Sequence, residues 1–461
     1  MRPSRREAAR GLALALAPFA LTLAQAAQEP EPLPESAQES TQEPAQEPAQ
    51  EPTAPAPTVE LSGWLRTRYR GQFADGDDHD LYGLVDLQAK DSAGRWSASV
   101  LARLAYDLDD GPPSLDGLLD TYDSPFEPQL YHAYLDWESS RFERLRLGRQ
   151  TLIDTPLVVV LDGVAAELTP RGPRDAKLGA YLGVGEHLYE SSDDGDAPVL
   201  GTYAGLDLWT GGVLRADWMH LEDLRLGSEF EDDLFGLAFD QGLTFDESDT
   251  RLELDHTRLE GERRDWTVRA SHVDLGARWS ARASYHELLR AQGALAAPLD
   301  PFSSTLFTLF PYRQLGASAT KDWAHVSLTG GADLRRVSDE ADEGTYNRDF
   351  ERYHLTTALI ETLPVELSLT GEVWDSSDTE FSTWGANLSR EHERFEWSLG
   401  SYYSLYKYDL LTGDERDDVR TYYVDLAFRP EPLRRWSLRY ELEDNAFDLF
   451  HQVRLDYAWG F

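Results

Sequence analysis

The amino-acid sequence predicts an all-β protein: a transmembrane antiparallel up-and-down β-barrel of about 18–22 strands, preceded by a signal peptide and a disordered linker. Three observations carry this prediction. From Val59 to Phe461, apolar and polar residues alternate with a period of two, and no helical period interrupts them. The connections between the alternating runs are short and long in turn, which is typical of outer-membrane barrels. The chain also ends on an apolar strand, HQVRLDYAWGF, whose last residue is Phe461.

The first 58 residues are expected to stand apart from this fold. Residues 1–10 are basic, residues 11–23 are apolar, and Ala-Gln-Ala at 24–26 offers the small residues of a cleavage site. We therefore predict a signal peptide at 1–26. Residues 27–58 are rich in Gln, Glu, Pro and Ala and contain almost no apolar bulk, so we predict a disordered periplasmic linker there.

The barrel is predicted to occupy residues 59–461, and the length of its strands argues against a soluble sandwich. The alternating runs are about 10 to 13 residues long, whereas strands of soluble proteins average about 5–6. They continue without a domain break far beyond the ~100 residues of an ordinary sandwich. The runs number about 22, and between residues 233 and 290 the alternation fits one hairpin more or fewer.

The connections divide into two groups, as the two ends of a membrane barrel require. Short connections are predicted at 90–95, 139–141, 209–212, 321–325 and 429–435. Longer, mostly acidic connections are predicted at 108–127, 187–198, 222–233, 289–310, 337–349 and 408–417.

The apolar C-terminal strand is expected to close the sheet against the first strand. Hydrocarbon contains no water to satisfy an unpaired strand edge, so an open sheet is not allowed in a membrane. Tyr457, Trp459 and Phe461 share one face and are predicted to meet lipid at the membrane–water boundary. A terminal strand ending in Phe also resembles the signal that outer-membrane assembly machinery recognises. The expected partners are therefore outer-membrane lipid and that machinery.

Composition excludes several classes of function. A net charge of −40 disfavours nucleic-acid binding. The absence of Cys excludes disulfides and thiolate metal sites. No Gly-x-Ser-x-Gly or His-Glu-x-x-His sequence is present, so we do not expect an enzyme. His132, His286 and His354 fall on polar strand faces and are interpreted as wall residues.

The polar face of each strand is predicted to line the lumen, because a barrel this wide cannot be filled by side chains and charges at membrane depth require a polar interior. Two interpretations remain open: the arginines form a basic ladder that guides an anionic solute, or they pair with neighbouring carboxylates and stiffen the wall. The candidate lining residues are Arg66, Arg68, Arg70, Arg103, Arg144, Arg146, Arg278, Arg282, Arg335, Arg439, Asp86, Asp136 and Glu138.

Much of the negative charge falls in the connections, which would attract divalent cations. The acidic segments are 75–80, 107–123, 190–196, 229–233 and 338–344. No cofactor is expected, and the alternative is calcium at such loops, where DGDDHD at 75–80 resembles a calcium loop loosely.

One segment carries a family resemblance. Residues 144–170, RLRLGRQTLIDTPLVVVLDGVAAELTP, resemble the strand–loop–strand signature of the alginate-export family of outer-membrane channels. The matching residues are Gly148-Arg149-Gln150 and Asp162-Gly163-Val164. The resemblance implies a monomeric barrel of about 18 strands with an arginine-lined passage for anionic polysaccharide, and it implies that Arg149 is a pore residue.

The sequence thus predicts a passive outer-membrane channel for small hydrophilic or anionic solutes, uronates or polysaccharide among them. The alternatives are a general or sugar-selective porin without alginate specificity, and a plugged barrel that serves as a structural protein or adhesin.

Overall fold

A computed structural model describes residues 59–73, 77–108, 125–169, 176–186, 197–225, 228–290, 311–342, 349–360, 364–376, 379–408, 415–444 and 449–461. The predicted signal peptide (1–26) and linker (27–58) lie outside these residues. The strands are β1 (Val59–Phe73), β2 (Asp77–Asp91), β3 (Trp96–Asp107), β4 (Phe126–Trp137), β5 (Arg144–Leu152), β6 (Val159–Leu168), β7 (Ala176–Gly185), β8 (Pro198–Trp209), β9 (Gly212–Arg225), β10 (Ser228–Phe245), β11 (Ser248–Leu259), β12 (Glu262–Asp274), β13 (Trp279–Leu288), β14 (Tyr312–Asp322), β15 (Val326–Val337), β16 (Phe350–Leu359), β17 (Glu366–Ser376), β18 (Thr379–His392), β19 (Phe395–Tyr408), β20 (Glu415–Glu431), β21 (Arg434–Asp444) and β22 (Leu449–Gly460).

Consecutive strands pair antiparallel, and β22 pairs with β1, so the 22-stranded sheet closes into a barrel. The closing register runs from Trp64↔Gly460 to Phe73↔His451. Backbone hydrogen bonds of 3.0 and 3.1 Å join Gly63 and Phe461, next to the pair Trp64↔Gly460. The predicted fold class is therefore confirmed. The strand count taken from the alternation holds, whereas the lower number implied by the family resemblance is wrong.

Alternation gives the barrel two chemically different faces. The outer face is apolar and exposed, because every second residue of each strand points away from the lumen. In a soluble protein such a surface would be a large exposed apolar patch, whereas on a closed barrel it is the surface of a membrane-spanning wall. Within the described residues, no helix is long and apolar enough to cross a membrane. Representative exposed outer-face residues are Leu61, Leu104, Leu135, Leu147, Leu182, Leu237, Leu355, Leu369, Leu399 and Trp459.

The two ends of the barrel differ in their connections. At the end that holds both Val59 and Phe461, here called the short-turn end, the longest connection between strands is 169–175. At the opposite, long-loop end, the longest connection is 289–311. The long connection predicted at 222–233 is wrong, because β9 and β10 continue pairing up to Arg225↔Ser228. A hairpin satisfies its backbone whatever its side chains, so acidic residues beyond the apolar band can remain in strands.

The wall pairs incompletely at two places. The β4–β5 ladder runs only from Trp137↔Leu145 to Ala133↔Arg149. The β18–β19 ladder stops at Ala386↔Ser401, although both strands continue toward the long-loop end. At each break an arginine donates to a backbone carbonyl, from β5 itself at the first break and from β20 at the second. Arg149 Nη1 lies 3.2 Å from the carbonyl oxygen of Leu130, and Arg420 donates to the carbonyl of Trp384. These guanidinium groups replace ladder hydrogen bonds that the strands no longer supply.

Candidate functional site

The register of the 22 strands determines which residues share the inner face. Starting from Arg70 on β1, cross-strand pairs lead to Asp80 on β2 and Asp107 on β3, and the parity returns to Arg454 on β22 after one circuit. Most of the predicted lining residues lie on this face, and their role in a passage stays a prediction. They are Arg66, Arg68, Arg70, Arg103, Arg144, Arg146, Arg282, Arg335, Arg439, Asp86 and Asp136.

Three predicted lining residues lie elsewhere. Arg149 pairs with Ala133 and Asp162 on the parity of outer-face Leu147. Arg278 lies in the short-turn connection 275–278 with a positive φ of 50°, before β13 begins. Glu138 follows the last residue of β4. For Arg278 and Glu138, alternation alone could not show where the strands end.

The position of Arg149 has a physical explanation. Its guanidinium binds Asp162 through two hydrogen bonds of 2.7 and 2.6 Å, and it lies 3.0 Å from a carboxylate oxygen of Glu186. Together with the bond to the Leu130 carbonyl, these contacts engage all three nitrogen atoms of the guanidinium. Gly148, with φ of +116°, adopts a backbone conformation that other residues rarely adopt. In this chain, the arginine of the Gly-Arg-Gln motif therefore supplies a hydrogen bond to β4 where the β4–β5 ladder is interrupted.

A set of ion pairs, here called the charged wall, lies on the inner face toward the short-turn end. Asp456 accepts hydrogen bonds from Arg66 Nε at 2.9 Å and from Arg68 Nε at 2.7 Å. Arg439 Nη1 donates to Asp425 at 2.9 Å. These residues line a cavity of about 690 Å³ between β17 and β1. The charged wall comprises Arg66, Arg68, Glu396, Asp425, Arg435, Arg439, Arg454 and Asp456.

The pairing continues along other parts of the inner face. Arg146 donates to both carboxylate oxygens of Asp136 at 2.7 Å and lies 3.6 Å above the Tyr134 ring. Arg352 on β16 bridges Asp333 at 3.3 Å and Glu372 at 2.6 Å. This geometry favours the interpretation in which arginines pair with carboxylates and hold the wall, because a paired guanidinium has fewer donors left for a solute.

Arg282 on β13 is an exception. It is exposed on the inner face and donates to Ser318 Oγ at 2.9 Å, and among the described residues no carboxylate lies within ion-pairing distance of it. Small and hydroxyl-bearing neighbours, Ser284 and Gly316, surround it on the same face. Of the predicted arginines it is therefore well placed to meet an anionic solute.

Some predicted lining residues face inward but are covered. Arg70 is 1% exposed and Arg103 is 6% exposed. Between them Tyr82 donates a 2.6 Å hydrogen bond to Asp80, and the Arg103 guanidinium lies 5.6 Å from the centre of the Tyr82 ring. Arg335 is likewise buried, 3.8 Å above the Tyr312 ring. Parity places these side chains on the inner face but does not decide whether water reaches them.

The long-loop end of β6–β11 carries an inner-face cluster that is apolar, which the alternation did not predict. Its members, here called the apolar wall, share almost complete burial. They are Val159, Leu161, Tyr181, Val199, Met219, Leu221, Leu234 and Leu259. One signal was present in the sequence: Val158 to Leu161 are apolar on both parities, as expected for a strand buried on both faces.

The β5–β6 connection, residues 153–158, folds inward and helps to cover the apolar wall. Leu157 packs against the cluster. Pro156 lies over β10, so that a Cβ built on Gly236 would be 3.0 Å from Pro156 Cγ. Gly236 belongs to the inner face, because its β9 partner is Asp217 and its β11 partner is Thr257. The β5–β6 connection therefore narrows the lumen at the level of the apolar wall.

The inner face also carries a cluster of aspartates and two histidines that contact neighbouring strands. Asp78, Asp80 and Asp107 bring carboxylate oxygens within 4.8 Å of one another, so within the described chain they are the residues that could hold a hard cation. Calcium binding stays a prediction. His132 contacts Ser99 Oγ at 2.9 Å and His286 contacts Thr267 Oγ1 at 2.9 Å, each on an adjacent strand, as expected for wall residues.

Comparison with known proteins supports the fold. No protein-family model matches the sequence, and no curated protein matches it. The barrel is similar to the translocation pore of the P pilus usher PapC, with 11% identity over 87% of this chain and 99% of that chain and a TM-score of 0.51. The outer-membrane protein OpdK of Pseudomonas aeruginosa aligns with 12% identity over 88% of this chain and 98% of its own, at a TM-score of 0.42. The first similarity concerns the fold alone.

Proposed function

We propose that this protein is a passive channel of a bacterial outer membrane, through which water, ions and small hydrophilic solutes pass. The observation that carries the proposal is the cavity of about 690 Å³ lined by the charged wall. Charges are costly in a membrane-spanning wall unless they face water, so a set of paired charges on the inner face favours a wet lumen. The proposal includes no catalytic step.

The arrangement of charges predicts weak ion selectivity. Arg66 and Arg68 face Asp456, and Arg439 faces Asp425, so positive and negative groups alternate around the cavity. Opposed charges create a transverse field that orients polar solutes and excludes neither sign of ion. A channel of this kind resembles a general or sugar-selective porin more closely than a strict anion filter.

Planar-bilayer recording of the purified protein tests the proposal. Stepwise conductance is expected from the wild type. Substitution of Arg66 and Arg68 by Ala removes positive charge beside Asp456 and is expected to shift the reversal potential toward cation preference. Asp456→Asn is the matched variant and is expected to shift it toward anions. A bilayer that stays silent at all potentials would contradict the channel, and two shifts of the same sign would contradict the assignment of the charged wall.

A finer proposal concerns anionic sugars. Arg282 is exposed and is paired only with a hydroxyl among the described residues, and guanidinium groups bind carboxylates through two parallel hydrogen bonds. Uronate oligomers would therefore dwell near β13 and block the current, in keeping with the alginate-export resemblance. Arg282→Ala is expected to shorten each block, while Arg146→Ala, whose side chain is already occupied by Asp136, is expected to change it less. Indifference of the current to uronates would favour a general porin.

The second candidate function is a closed structural barrel or adhesin. It is favoured by the covering of the inner face near the long-loop end, where Arg70, Arg103 and the apolar wall are buried. The same bilayer recording separates the two candidates, because a closed barrel conducts only after the covering segment has been displaced.

A further inference from the structure

Two arginines at the long-loop end face each other on the outer surface of the barrel. Arg258 near the end of β11 and Arg263 near the start of β12 are register partners. Both are exposed. Inward-facing Leu259, which belongs to the apolar wall, shows that its neighbour Arg258 points outward. Among the described residues, neither guanidinium contacts a carboxylate, a hydrogen-bond acceptor or a ring.

A β-bulge creates this juxtaposition. The register shifts between Thr257 and Arg258, so Arg264 is the extra residue of β12. Arg264 turns inward, is buried and contacts Asp265. In an unbroken ladder the partner of Arg258 would be Arg264. The bulge therefore moves one arginine inside and leaves Arg263 as the outward partner.

Three other outer-face arginines at the same end have counter-ions. Arg149 binds Asp162 at 2.7 Å, Arg313 binds Glu287 at 2.7 Å, and Arg336 contacts Glu351. Like charges directly opposite each other on a sheet are unfavourable. In a chain with a net charge of −40, carboxylates are abundant, so a pair of arginines without one is suited to an anion from outside the chain.

The surface beside the pair is apolar and aromatic. Arg258 lies opposite Phe235 of β10, which is 47% exposed. One outer-face step toward the membrane centre, His256 stacks on Trp266 with ring centroids 4.2 Å apart, and Trp266 is 36% exposed. Leu254 and Val268 continue the strip on the same face. Positive charge above an apolar strip matches a lipid whose headgroup is anionic and whose chains lie along the wall.

We propose that Arg258 and Arg263 bind the phosphate group of an anionic lipid in the membrane leaflet at the long-loop end. Each guanidinium presents planar paired donors to phosphate oxygens, so two opposed arginines clamp one phosphate or two adjacent ones. Phe235 and Trp266 contact the first carbons of the acyl chains. This site is separate from the lumen and does not depend on conductance.

Native mass spectrometry of the full-length protein released from detergent, titrated with phosphatidic acid, tests the site. The double variant Arg258→Gln and Arg263→Gln is expected to bind about tenfold more weakly than wild type, in keeping with the loss of charge-assisted hydrogen bonds. Arg313→Gln is the matched control, because it removes an outer-face arginine that already has Glu287 as its partner. The double variant relieves repulsion and is expected to fold as wild type does, which heat-dependent gel mobility checks.

Three outcomes would overturn the proposal. Equal binding by the double variant and the wild type would show that the pair does not hold the lipid. An equal loss in Arg313→Gln would show that general surface charge is responsible. Displacement of phosphatidic acid by inorganic phosphate at equal concentration would assign the pair to a free anion. Retention of binding by Arg258→Lys with Arg263→Lys, together with weak binding of diacylglycerol, would support phosphate recognition.

Discussion

The apolar wall and the charged wall lie on the same inner face of one barrel and differ in almost every property. The apolar wall is at the long-loop end of β6–β11, is buried, and is covered in part by residues 153–158. The charged wall is at the short-turn end of β17–β1 and borders an open cavity. Apolar packing stabilises the apolar wall, and ion pairs stabilise the charged wall. Residues on the inner face of a barrel are therefore not always in contact with water.

The largest expected effect comes from placing a charge in the apolar wall. Leu221→Asp puts an unpaired carboxylate among Val199, Met219 and Leu234 and is expected to lower the free energy of unfolding by about 4 kcal/mol or more. Ser437→Asp is the control on the other wall, where Asp456 is its register partner and the guanidinium groups of Arg435 and Arg439, two residues away, offset the repulsion between the two carboxylates. Its expected change is within about 0.5 kcal/mol. Urea unfolding in detergent, followed by tryptophan fluorescence, measures both, and similar losses would erase the distinction between the walls.

Removing an ion pair from the inner face is expected to have the next largest effect. Asp136→Asn leaves the partly buried Arg146 with a neutral partner and is expected to cost about 1–3 kcal/mol. Glu143→Gln removes an exposed pair with Lys177 and is expected to change stability by under about 0.5 kcal/mol. The same unfolding assay compares them. If Asp136→Asn were as mild as Glu143→Gln, ion pairing would not be what holds the polar inner face.

A smaller effect is expected from a single methyl group under the β5–β6 connection. Gly236→Ala places a Cβ 3.0 Å from Pro156 Cγ and 3.4 Å from Asp217 Cβ, and is expected to cost about 1 kcal/mol through overpacking. Gly205→Ala, on the inner face of β8, meets only Lys177 Cβ at 3.7 Å. It is expected to be neutral or stabilising by up to about 1 kcal/mol, because glycine weakens a strand. Effects of the same sign and size would argue that Pro156 does not rest on Gly236.

The smallest energetic effect, and the most direct geometric test, uses the absence of native Cys. A Cβ on Gly236 would be 3.6 Å from Pro156 Cβ, within the ~3.5–4.5 Å span of a disulfide. The double variant Pro156→Cys and Gly236→Cys is expected to form this bond on mild oxidation, as detected by mass spectrometry. Pro156→Cys with Gly205→Cys is expected to remain reduced. Failure of the first pair to close would place the connection away from the wall.

Much of the architecture was predictable because two-residue alternation is imposed locally. Each strand needs an apolar side for the membrane and a polar side for the lumen, and this requirement repeats from Val59 to Phe461. The strand count, the closing strand and the face of most candidate arginines follow from it. The long loop predicted at 222–233 was wrong, because acidic side chains do not prevent a hairpin from pairing beyond the membrane.

The site was less predictable, because its details depend on partners in neighbouring strands. The hydrogen bond from Arg149 to the Leu130 carbonyl depends on the break in the β4–β5 ladder, and burial of Arg70 depends on Asp80 and Tyr82. Neither the break nor the covering leaves a periodic signal. The apolar run at 158–161 did leave a signal in the sequence, since a strand that is apolar on both faces is expected to be buried on both.

By itself, the sequence determined the fold class, the closure through the C-terminal strand and the division of side chains between two faces, because each follows from a local period and from the cost of an unpaired edge in hydrocarbon. The tertiary structure decided which inner-face residues are open and which are covered. That choice depends on where Pro156 rests on Gly236, on the bulge at Arg264 and on which carboxylate reaches each arginine. The first contact joins residues far apart in the chain and the other two join neighbouring strands, so the folded barrel sets all three.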